Sequence, residues 1–353
     1  MDALPATMKA AVLRGKLDLT VEERPMPAVG PHDVLLEVSH CGVCGTDLHF
    51  VLEGWGGTRE TIEGHEWSAR VVAVGDQVDR WAPGDAVVGG PSPRCGVCEY
   101  CLAHRPSLCT GRGQFDGDAH GEYNGAFAEY VLAHERSIVA IPRGLALRAA
   151  ALAEPLAVAL HGLTQAEVRA GQRVLVTGAG PIGTLSVAAL HAAGITDVVV
   201  SEPHPKRRAL AERLGATTVD PSELAEPGYP GAVVDEPFDV ALECSGRPDA
   251  MEAALGQLKR AGTLVLVGAG IEYPRLNTSR ILLNELVVTG AFVYDHDGFE
   301  RALELLARPD FPTDLLIEPG EVPLDGILTA IQGLGAGDLA GKVMIVPPTR
   351  GAA

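Results

Sequence analysis

The sequence predicts an α/β protein with a mostly antiparallel β region and a parallel, doubly wound sheet. At 353 residues the chain is longer than one ordinary core accommodates, which suggests about two domains. Short alternating strands separated by turn residues occupy residues 9–143. Beyond Gly171 strands alternate with helices, which is the pattern of a parallel sheet covered by helices on both faces.

The β region begins with a strand near Met8, after a short tail. Alternation of apolar and polar residues predicts further strands at residues 34–39 and 69–74, each followed by Gly- and Pro-containing turns. Residues 143–170 are rich in Ala and Leu at helical spacing. The sequence therefore predicts a helical connection into the second region.

The second region is predicted to hold five strands, at residues 173–177, 197–201, 238–243, 263–267 and 286–289. Residues 221–237 are rich in Pro, Glu and Gly and are predicted to form an exposed loop. A helix at residues 299–307 and a last strand at residues 342–346 follow.

Composition and charge exclude several classes of protein. The chain is 46% hydrophobic and 21% charged, and it has no apolar run near the ~18 residues of a membrane span and no secretory signal. A net charge of −18 argues against a nucleic-acid partner. Seven cysteines, in metal-type spacing and without an export signal, favour reduced thiols and a cytoplasmic location.

Four of the cysteines form a Cys-x2-Cys-x2-Cys-x7-Cys cluster in a Gly/Pro-rich loop: Cys95, Cys98, Cys101 and Cys109. Two-residue gaps let a short segment surround one ion, and zinc takes four thiolates in a tetrahedron. Four protein ligands leave no open coordination position, so the cluster predicts a structural zinc site. An iron–sulfur cluster, which uses similar spacings, is the alternative.

A glycine pattern predicts a dinucleotide site. Gly178, Gly180 and Gly183 form G-x-G-x-x-G directly after a predicted strand and at the start of a predicted helix. The first glycine permits the tight turn, the second lets the backbone approach a pyrophosphate, and the third lets helix and strand pack closely. The phosphates would face the helix N-terminus.

Glu202 follows the next strand, where an acidic residue accepts hydrogen bonds from the adenosine ribose hydroxyls. A carboxylate there repels a 2′-phosphate, so NAD is favoured over NADP. Lys206, Arg207 and Arg208 lie nearby and could stabilise that phosphate, which keeps NADP as the alternative.

A second group of metal-type side chains lies upstream of the cysteine cluster. Cys41, Cys44 and His49 fall within one short stretch, and His65 and Glu66 follow. A cysteine and a histidine brought together by the fold can hold zinc and leave a position for substrate, as catalytic sites require.

These motifs, in order, carry a resemblance to a known family. The series Cys44-Gly-Thr-Asp47, Gly64-His-Glu66, the four clustered cysteines, Glu154-Pro155 and the glycine pattern resembles the zinc-containing medium-chain dehydrogenase/reductase family over nearly the whole chain. The resemblance implies a GroES-like catalytic domain at residues 1–155 and 298–353, with a structural zinc loop near residues 91–112. A Rossmann NAD-binding domain at residues 156–297 would interrupt it, and the active site would lie in the cleft between the domains.

The resemblance also implies a catalytic zinc site. It selects Cys44 rather than Cys41 as a ligand, with His65 as the second, and it leaves open whether Glu66 or Glu154 binds the metal directly. Liver-type alcohol dehydrogenases have a cysteine at the position of Glu154. A glutamate there resembles the sequences of the polyol and threonine dehydrogenases, which act on secondary alcohols. A carboxylate at this position also suits the first turn of a helix.

The same resemblance implies a proton relay. Zinc lowers the pKa of a substrate hydroxyl. Thr46 would accept the hydroxyl proton and pass it, by way of the nicotinamide ribose, to His49, because histidine titrates near neutral pH. Weaker parallels place Ile182, Arg207, Val267 and Phe292 beside the cofactor and Phe50 beside the substrate, although each of these also suits a packing role.

The sequence thus predicts a zinc enzyme that transfers hydride between NAD and a small secondary alcohol: a polyol, sugar, cyclitol or amino alcohol. Two zinc ions per chain are expected, one catalytic and one structural. A primary-alcohol dehydrogenase or aldehyde reductase is the alternative. A non-catalytic regulator is disfavoured because the ligands and the relay are all present. A homodimer or homotetramer is expected.

Overall fold

The computed structural model describes residues 4–55, 57, 60–91, 95–110 and 125–348. Parts of the predicted structural zinc loop, residues 92–94 and 111–112, lie outside the described residues. None of the described helices combines the length and the apolar character that crossing a membrane requires.

The first part of the chain forms mostly antiparallel strands, as the sequence predicts. The strands are β1 Thr7–Gly15, β2 Asp18–Pro25, β3 Asp33–Gly42, β4 Thr61–Ile62, β5 Glu66–Val74, β6 Ala86–Gly89, β7 Tyr130–His134 and β8 Ile138–Ala140. The helical segments are α1 Gly45–Leu48, a π-helical turn His49–Glu53 and α2 Glu99–Leu102.

The middle of the chain alternates helices and strands. The helices are α3 Leu147–Ala150, α4 Ala153–Ala166, α5 Pro181–Ala192, α6 Pro205–Arg213, α7 Pro248–Gln257 and α8 Thr278–Asn284. The strands are β9 Arg173–Thr177, β10 Asp197–Ser201, β11 Thr217–Val219, β12 Phe238–Glu243, β13 Leu258–Leu266 and β14 Val287–Gly290.

The last part of the chain returns to the β region. Its elements are α9 Gly298–Leu306, α10 Thr313–Leu316, β15 Val322–Pro323, α11 Ile327–Gly335 and β16 Met344–Val346. β15 and β16 join one edge of a seven-stranded sheet of order β15-β16-β3-β5-β6-β8, in which β7 also pairs with β3, while β1, β2 and β4 form a separate sheet.

The register of three strands in the seven-stranded sheet brings distant residues together. β3 and β5 are antiparallel, with Gly42 opposite Glu66, and β16 places Met344 opposite the same Gly42. Residues just after β3, at the start of β5 and just before β16 therefore meet at one point. This point is where the candidate metal ligands lie.

The six middle strands form one parallel sheet in the order β11-β10-β9-β12-β13-β14. Renumbered from its own first strand, this is the 3-2-1-4-5-6 order of a doubly wound dinucleotide-binding sheet. Thr177 lies opposite Ser201 and Glu243, so the loops that follow β9, β10 and β12 leave the sheet at the same edge. Ligands of such sheets bind beyond this carboxyl edge.

The fold class is confirmed, and most strand bounds agree with the sequence. β9, β10 and β12 have the predicted ends. β3 and β5 are longer than predicted, because their ends contain glycine and charged residues that pair in the sheet and break the alternation. The three-residue strand β11 was not predicted, since it is too short for a periodic signal.

Candidate active site

A cavity of about 770 Å³ lies between the two sheets. One side is formed by residues that follow β3 or precede β5, and the other by loops at the carboxyl edge of the parallel sheet. The predicted site residues that line it are Cys44, Thr46, His49, Phe50, His65, Glu66, Glu154, Ile182, Val267 and Phe292. The fold therefore brings the predicted catalytic residues and part of the predicted cofactor contacts to one place.

Cys44, His65 and Glu66 form a compact cluster, in which one potential ligand atom from each lies within 4.8 Å of the others. Cys44 stands at the N-cap of α1, and the other two residues lie at the start of β5. Cys41 is fully buried in β3, and burial raises the pKa of its thiol well above the ordinary value. The geometry thus brings Cys44 rather than Cys41 to the histidine.

Glu154 reaches the same cluster from the first turn of α4 and is 5% exposed. Burial raises the pKa of its carboxyl to about 7, against the opposing effect of His65. The backbone at Gly90 packs closely against Glu154, since a Cβ at Gly90 would lie 2.7 Å from the Glu154 side chain. A fourth potential metal ligand is therefore held against the Cys44, His65 and Glu66 cluster.

Glu66 has a partner that the sequence did not reveal. The Lys342 ammonium lies 2.7 Å from the Glu66 carboxylate and donates to the Val43 carbonyl at 3.0 Å. Burial opposes the charged form of Lys342, but Glu66 and Cys44 hold its pKa above the ordinary value. Glu66 keeps one carboxylate oxygen, Oε2, without a hydrogen-bond partner among the described residues and lies within the Cys44 and His65 cluster, so both Glu66 and Glu154 remain candidate metal ligands.

Asp47 is a second buried group that the sequence analysis did not single out. Its carboxylate accepts the Cys44 backbone N–H at 2.7 Å, which fixes the turn that presents the thiol. Burial raises the pKa of Asp47 to about 6, and its charge acts on His65. An acid three residues after an N-cap is a capping-box signal, and that spacing could have revealed it.

The donor set fits a zinc ion. A thiol, an imidazole and a carboxylate are the ligand types that zinc prefers, and catalytic sites use three protein ligands and keep one open position. Several acidic groups are buried here beside one ammonium, and burial of unbalanced charge is costly. A divalent cation removes most of that imbalance.

The predicted relay residues lie on α1 and the turn that follows. The Thr46 hydroxyl is 3.7 Å from the Cys44 sulfur. The His49 ring contacts Glu53 and the Ala269 carbonyl, which belongs to the loop after β13. Phe50 lines the cavity and also packs against the core of the β region, so it can serve both of its expected roles.

The four clustered cysteines converge on one point. The sulfur atoms of Cys95 and Cys101 are 4.0 Å apart, and those of Cys98 and Cys109 are 3.9 Å apart. Thiolates at about 2.3 Å from one tetrahedral ion are separated by about 3.8 Å, whereas a disulfide requires about 2.0 Å. This spacing fits a single ion better than a cluster whose bridging sulfides would hold the thiolates farther apart.

Backbone groups support thiolates in this cluster. The Cys98 N–H donates to the Cys95 sulfur at 3.3 Å, and the Cys101 N–H donates to the Cys98 sulfur at 3.5 Å. Donation from Cys101 and Thr110 lowers the pKa of Cys98 to about 5. These N–H groups favour the thiolate of Cys98, whereas burial raises the pKa of Cys101 to about 12.

The glycine loop has the geometry of a phosphate site. Gly178 has φ +90°, and a Cβ at Gly183 would lie 1.9 Å from the Gly178 carbonyl, so close helix–strand packing requires glycine there. A Cβ at Gly180 would meet nothing within 4 Å, which leaves open space in front of the α5 N-terminus. Ile182 lines the cavity from the first turn of α5.

Glu202 supports this loop from the end of β10. Its carboxylate is 2% exposed and accepts N–H groups from Ala179 at 2.7 Å and from His204 at 2.9 Å. Each carboxylate oxygen has a second lone pair, so Glu202 can still accept a ribose hydroxyl.

The three basic residues near Glu202 are engaged elsewhere. Arg207 donates to the Leu334 carbonyl at 2.8 Å, at the end of α11, so the structure directs it toward the C-terminal segment rather than the predicted ribose position. Arg208 pairs with Asp220, and Lys206 lies 3.9 Å from Asp338.

Val267 and Phe292, the other predicted cofactor contacts, follow β13 and β14. Val267 is half-buried and packs closely over Gly162 of α4. Phe292 is 55% exposed at the cavity edge. Both line the cavity, on the side formed by the parallel sheet.

A doubly wound sheet with a glycine-rich phosphate loop faces a partly buried Cys–His–carboxylate cluster across one cavity. Together these features define a metal-containing, nucleotide-dependent oxidoreductase. Residues 30–143 match the model of the alcohol dehydrogenase GroES-like domain, and residues 181–308 match that of the zinc-binding dehydrogenases.

Related proteins are similar to this chain over nearly its full length. The chain is 33% identical over 324 residues to sorbitol dehydrogenase of Bacillus subtilis, covering 89% of this chain and 90% of that protein. It is 33% identical over 348 residues to (R,R)-butanediol dehydrogenase of the same organism, with coverage of 93% and 96%. A solved zinc-binding dehydrogenase from Sinorhizobium meliloti, bound to NADP, matches with a TM-score of 0.83 at 33% identity, covering 97% of this chain and 100% of that chain.

The chain therefore belongs to the zinc-containing medium-chain dehydrogenase/reductase family. It is a zinc-type alcohol dehydrogenase, an oxidoreductase that acts on CH–OH donors. The predictions of family, fold and enzyme class are confirmed.

Two glycines of the phosphate loop should respond differently to the same methyl group. Gly183→Ala should destabilise the fold by about 1–3 kcal/mol, because the Cβ overlaps the Gly178 carbonyl. Gly180→Ala should keep the wild-type Tm but raise the Kd for the dinucleotide, because its Cβ enters the space left for phosphate. Thermal unfolding and fluorescence titration separate the two effects; equal loss of Tm in both variants would contradict this assignment.

Lys342→Met should destabilise the protein by about 3–5 kcal/mol, because it leaves the buried Glu66 carboxylate without its partner. Adding Glu66→Gln should recover most of the lost stability, since both charges are then gone. Chemical denaturation of the single and double variants measures the difference. A single variant as stable as wild type would show that the ion pair is dispensable.

Proposed function

We propose that the protein is an NAD-dependent dehydrogenase of neutral polyols or vicinal diols, with one catalytic and one structural zinc ion per chain. The observation that carries this proposal is the zinc-site carboxylate Glu154 in a cavity with no lysine or arginine among its described lining residues. Such a lining disfavours substrates with a phosphate or carboxylate group. Glu63, also in the lining, adds a further negative charge.

The names of two relatives agree with this substrate class, whereas two others are L-threonine 3-dehydrogenases, named for a substrate with a carboxylate. Sorbitol dehydrogenase and (R,R)-butanediol dehydrogenase are named for neutral alcohols with adjacent hydroxyl groups. A cavity of about 770 Å³ has room for either kind of molecule beside a nicotinamide ring.

NAD is proposed over NADP because Glu202 occupies the ribose position and its basic neighbours are engaged. A 2′-phosphate would meet the Glu202 carboxylate, while Arg207 and Arg208 already donate to other groups. The Sinorhizobium meliloti protein binds NADP, so the activity of this protein must be measured with both NAD and NADP.

In the proposed mechanism, Cys44, His65 and Glu154 would hold the catalytic zinc, Lys342 neutralises Glu66, and Asp47 fixes the turn that presents Cys44. The zinc, when bound, lowers the pKa of the substrate hydroxyl. Thr46 accepts the hydroxyl proton at its Oγ1, and His49 receives a proton at the outer end of the relay. The cavity walls, Phe50 and Val267 among them, exclude water from the hydride acceptor.

The central test is steady-state oxidation of a panel of substrates by the zinc-loaded enzyme. Sorbitol, 2,3-butanediol, a primary alcohol, threonine and a sugar-alcohol phosphate should be compared with NAD and with NADP. The neutral diols and polyols with NAD should give the highest kcat/KM. Preference for a phosphorylated or carboxylate substrate would refute the substrate class, and preference for NADP would refute the cofactor assignment.

Cys44→Ala should reduce turnover of the best substrate to background while leaving a folded protein that binds NAD with wild-type affinity. Cys41→Ala is the matched control, because Cys41 is buried three residues away and outside the metal cluster. Substantial activity in Cys44→Ala would overturn the assignment of the catalytic zinc site.

Cys109→Ser should lower the metal content by one equivalent and reduce the Tm, since structural zinc contributes on the order of 10 kcal/mol in small zinc modules. Elemental analysis and calorimetry measure the two effects. A content of two zinc ions per chain in this variant would contradict the proposed structural site.

We further propose a cytoplasmic homo-oligomer. β14 is the last strand of the parallel sheet, so one of its edges has no strand partner among the described residues. Large apolar side chains are exposed on this strand and on nearby segments: Leu282, Leu283, Val287, Ile271 and Tyr273. A second copy related by a two-fold axis would cover both the edge and these side chains.

A further inference from the structure

His49 opens the π-helical turn and is held on three sides. Its Nδ1 lies 2.9 Å from Glu53 Oε2, and its Nε2 lies 3.2 Å from the Ala269 carbonyl oxygen. The indole of Trp55 stacks on the ring at 4.0 Å between centroids and 8° between planes. The plane and the direction of the imidazole are therefore fixed.

Glu53 joins these groups into one unit. The same oxygen that faces His49 also accepts the Trp55 indole N–H at 2.8 Å. Gly54, with φ +83°, ends the π-helical turn and turns the chain back, which brings Trp55 over the histidine. π-helical turns occur frequently at functional sites, and here the turn places Glu53 beside His49.

We propose that Glu53 is a positioning residue that sets the tautomer of His49 for proton release. The inference rests on the proposed function, in which His49 ends the proton relay. Both ring nitrogens face groups that only accept hydrogen bonds, the Glu53 carboxylate and the Ala269 carbonyl, so each of these contacts requires an N–H. In the singly protonated ring the hydrogen stays on Nδ1, because the charged and closer carboxylate is the stronger acceptor, and Nε2 then carries the lone pair.

This arrangement serves both protonation states of His49. The neutral ring accepts a proton at Nε2, and the resulting imidazolium donates to two acceptors, the Glu53 carboxylate and the Ala269 carbonyl. In the complete reaction the substrate C–H leaves as hydride to the nicotinamide ring, the O–H proton enters the relay, and the ring returns one proton to water. The alcohol becomes a carbonyl compound.

The surroundings of His49 and Glu53 allow a proton to pass to water. The side chains of His49 and Glu53 are 21% and 44% exposed, so both reach water. Glu53 is the titratable group that faces the ring from its own turn. Trp55 and the Ala269 loop present an indole and a backbone carbonyl, and neither is titratable in this range.

The chain offers a matched control for a histidine–glutamate pair without a relay role. His40 Nε2 lies 3.1 Å from Glu321 Oε1, and the Glu321 side chain is 50% exposed. Neither residue is part of the cavity lining. Glu321→Gln therefore removes a similar surface pair and should leave turnover unchanged.

The experiment compares Glu53→Gln, Glu53→Asp and Glu321→Gln as zinc-loaded enzymes with the best substrate from the panel. Glutamine can donate to Nδ1 and so favours the tautomer with hydrogen on Nε2, the wrong one for accepting a proton. We expect kcat of Glu53→Gln to fall about tenfold near pH 7. This loss is smaller than the usual effect of removing a general base, because water can accept part of the released protons in place of His49. The deficit should shrink at higher pH and on addition of imidazole as an external base.

Glu53→Asp keeps the charge and should recover part of the lost kcat. Zinc content, Tm and the Kd for NAD should stay near the wild-type values in all three variants. These measurements separate a tautomer effect from a loss of structure, which neither pH nor an external base would repair.

Other outcomes would overturn the proposal in distinguishable ways. Wild-type kcat and pH profile in Glu53→Gln, with a large loss in His49→Gln, would remove Glu53 from the relay and leave the proposed function intact. A loss in Glu53→Gln that follows Tm or the NAD Kd and resists external base would show a structural role. Wild-type turnover in His49→Gln would remove the relay itself.

Discussion

The burial of opposite charges at one point of the seven-stranded sheet is the constraint on which the active site depends. Glu66, Glu154 and Asp47 bring three carboxyl groups out of water beside the Cys44 thiol, and Lys342 alone supplies a buried ammonium. Such a set is tolerated only with a cation and with hydrogen bonds to the remaining oxygens. The metal site is thus part of the electrostatic balance of the fold as well as of the chemistry.

The two sheets contribute different things to the cavity. The antiparallel region supplies the metal ligands through the register of β3, β5 and β16, whereas the parallel sheet supplies loops from its carboxyl edge. α4 connects the two, since its first turn carries Glu154 beside the metal cluster and its Gly162 packs against Val267, which follows β13. The distance between the metal and the nucleotide site is therefore set by a buried helix rather than by mobile loops.

Local patterns predicted much of this protein because their information lies within a few residues. The glycine loop, the cysteine cluster and the strands β9, β10 and β12 each follow from short-range spacing. Lys342 could not be found this way, because its partner Glu66 is 276 positions away and a single lysine near a strand suggests a surface residue. Arg207 lies near Glu202 in sequence, but its guanidinium donates to the Leu334 carbonyl of α11, 127 positions away, a contact that local spacing does not reveal.

Lys342 lies near the end of the sequence and is therefore synthesised after the other residues of the metal cluster. Cys44, His65, Glu66 and Glu154 leave the ribosome before the lysine that neutralises Glu66, and at about 5–20 residues per second the interval is roughly 15–55 s. During synthesis the metal site therefore exists first as a more acidic, incomplete pocket. The buried charge beside Cys44 and His65 is balanced by Lys342 only once β16 pairs with β3.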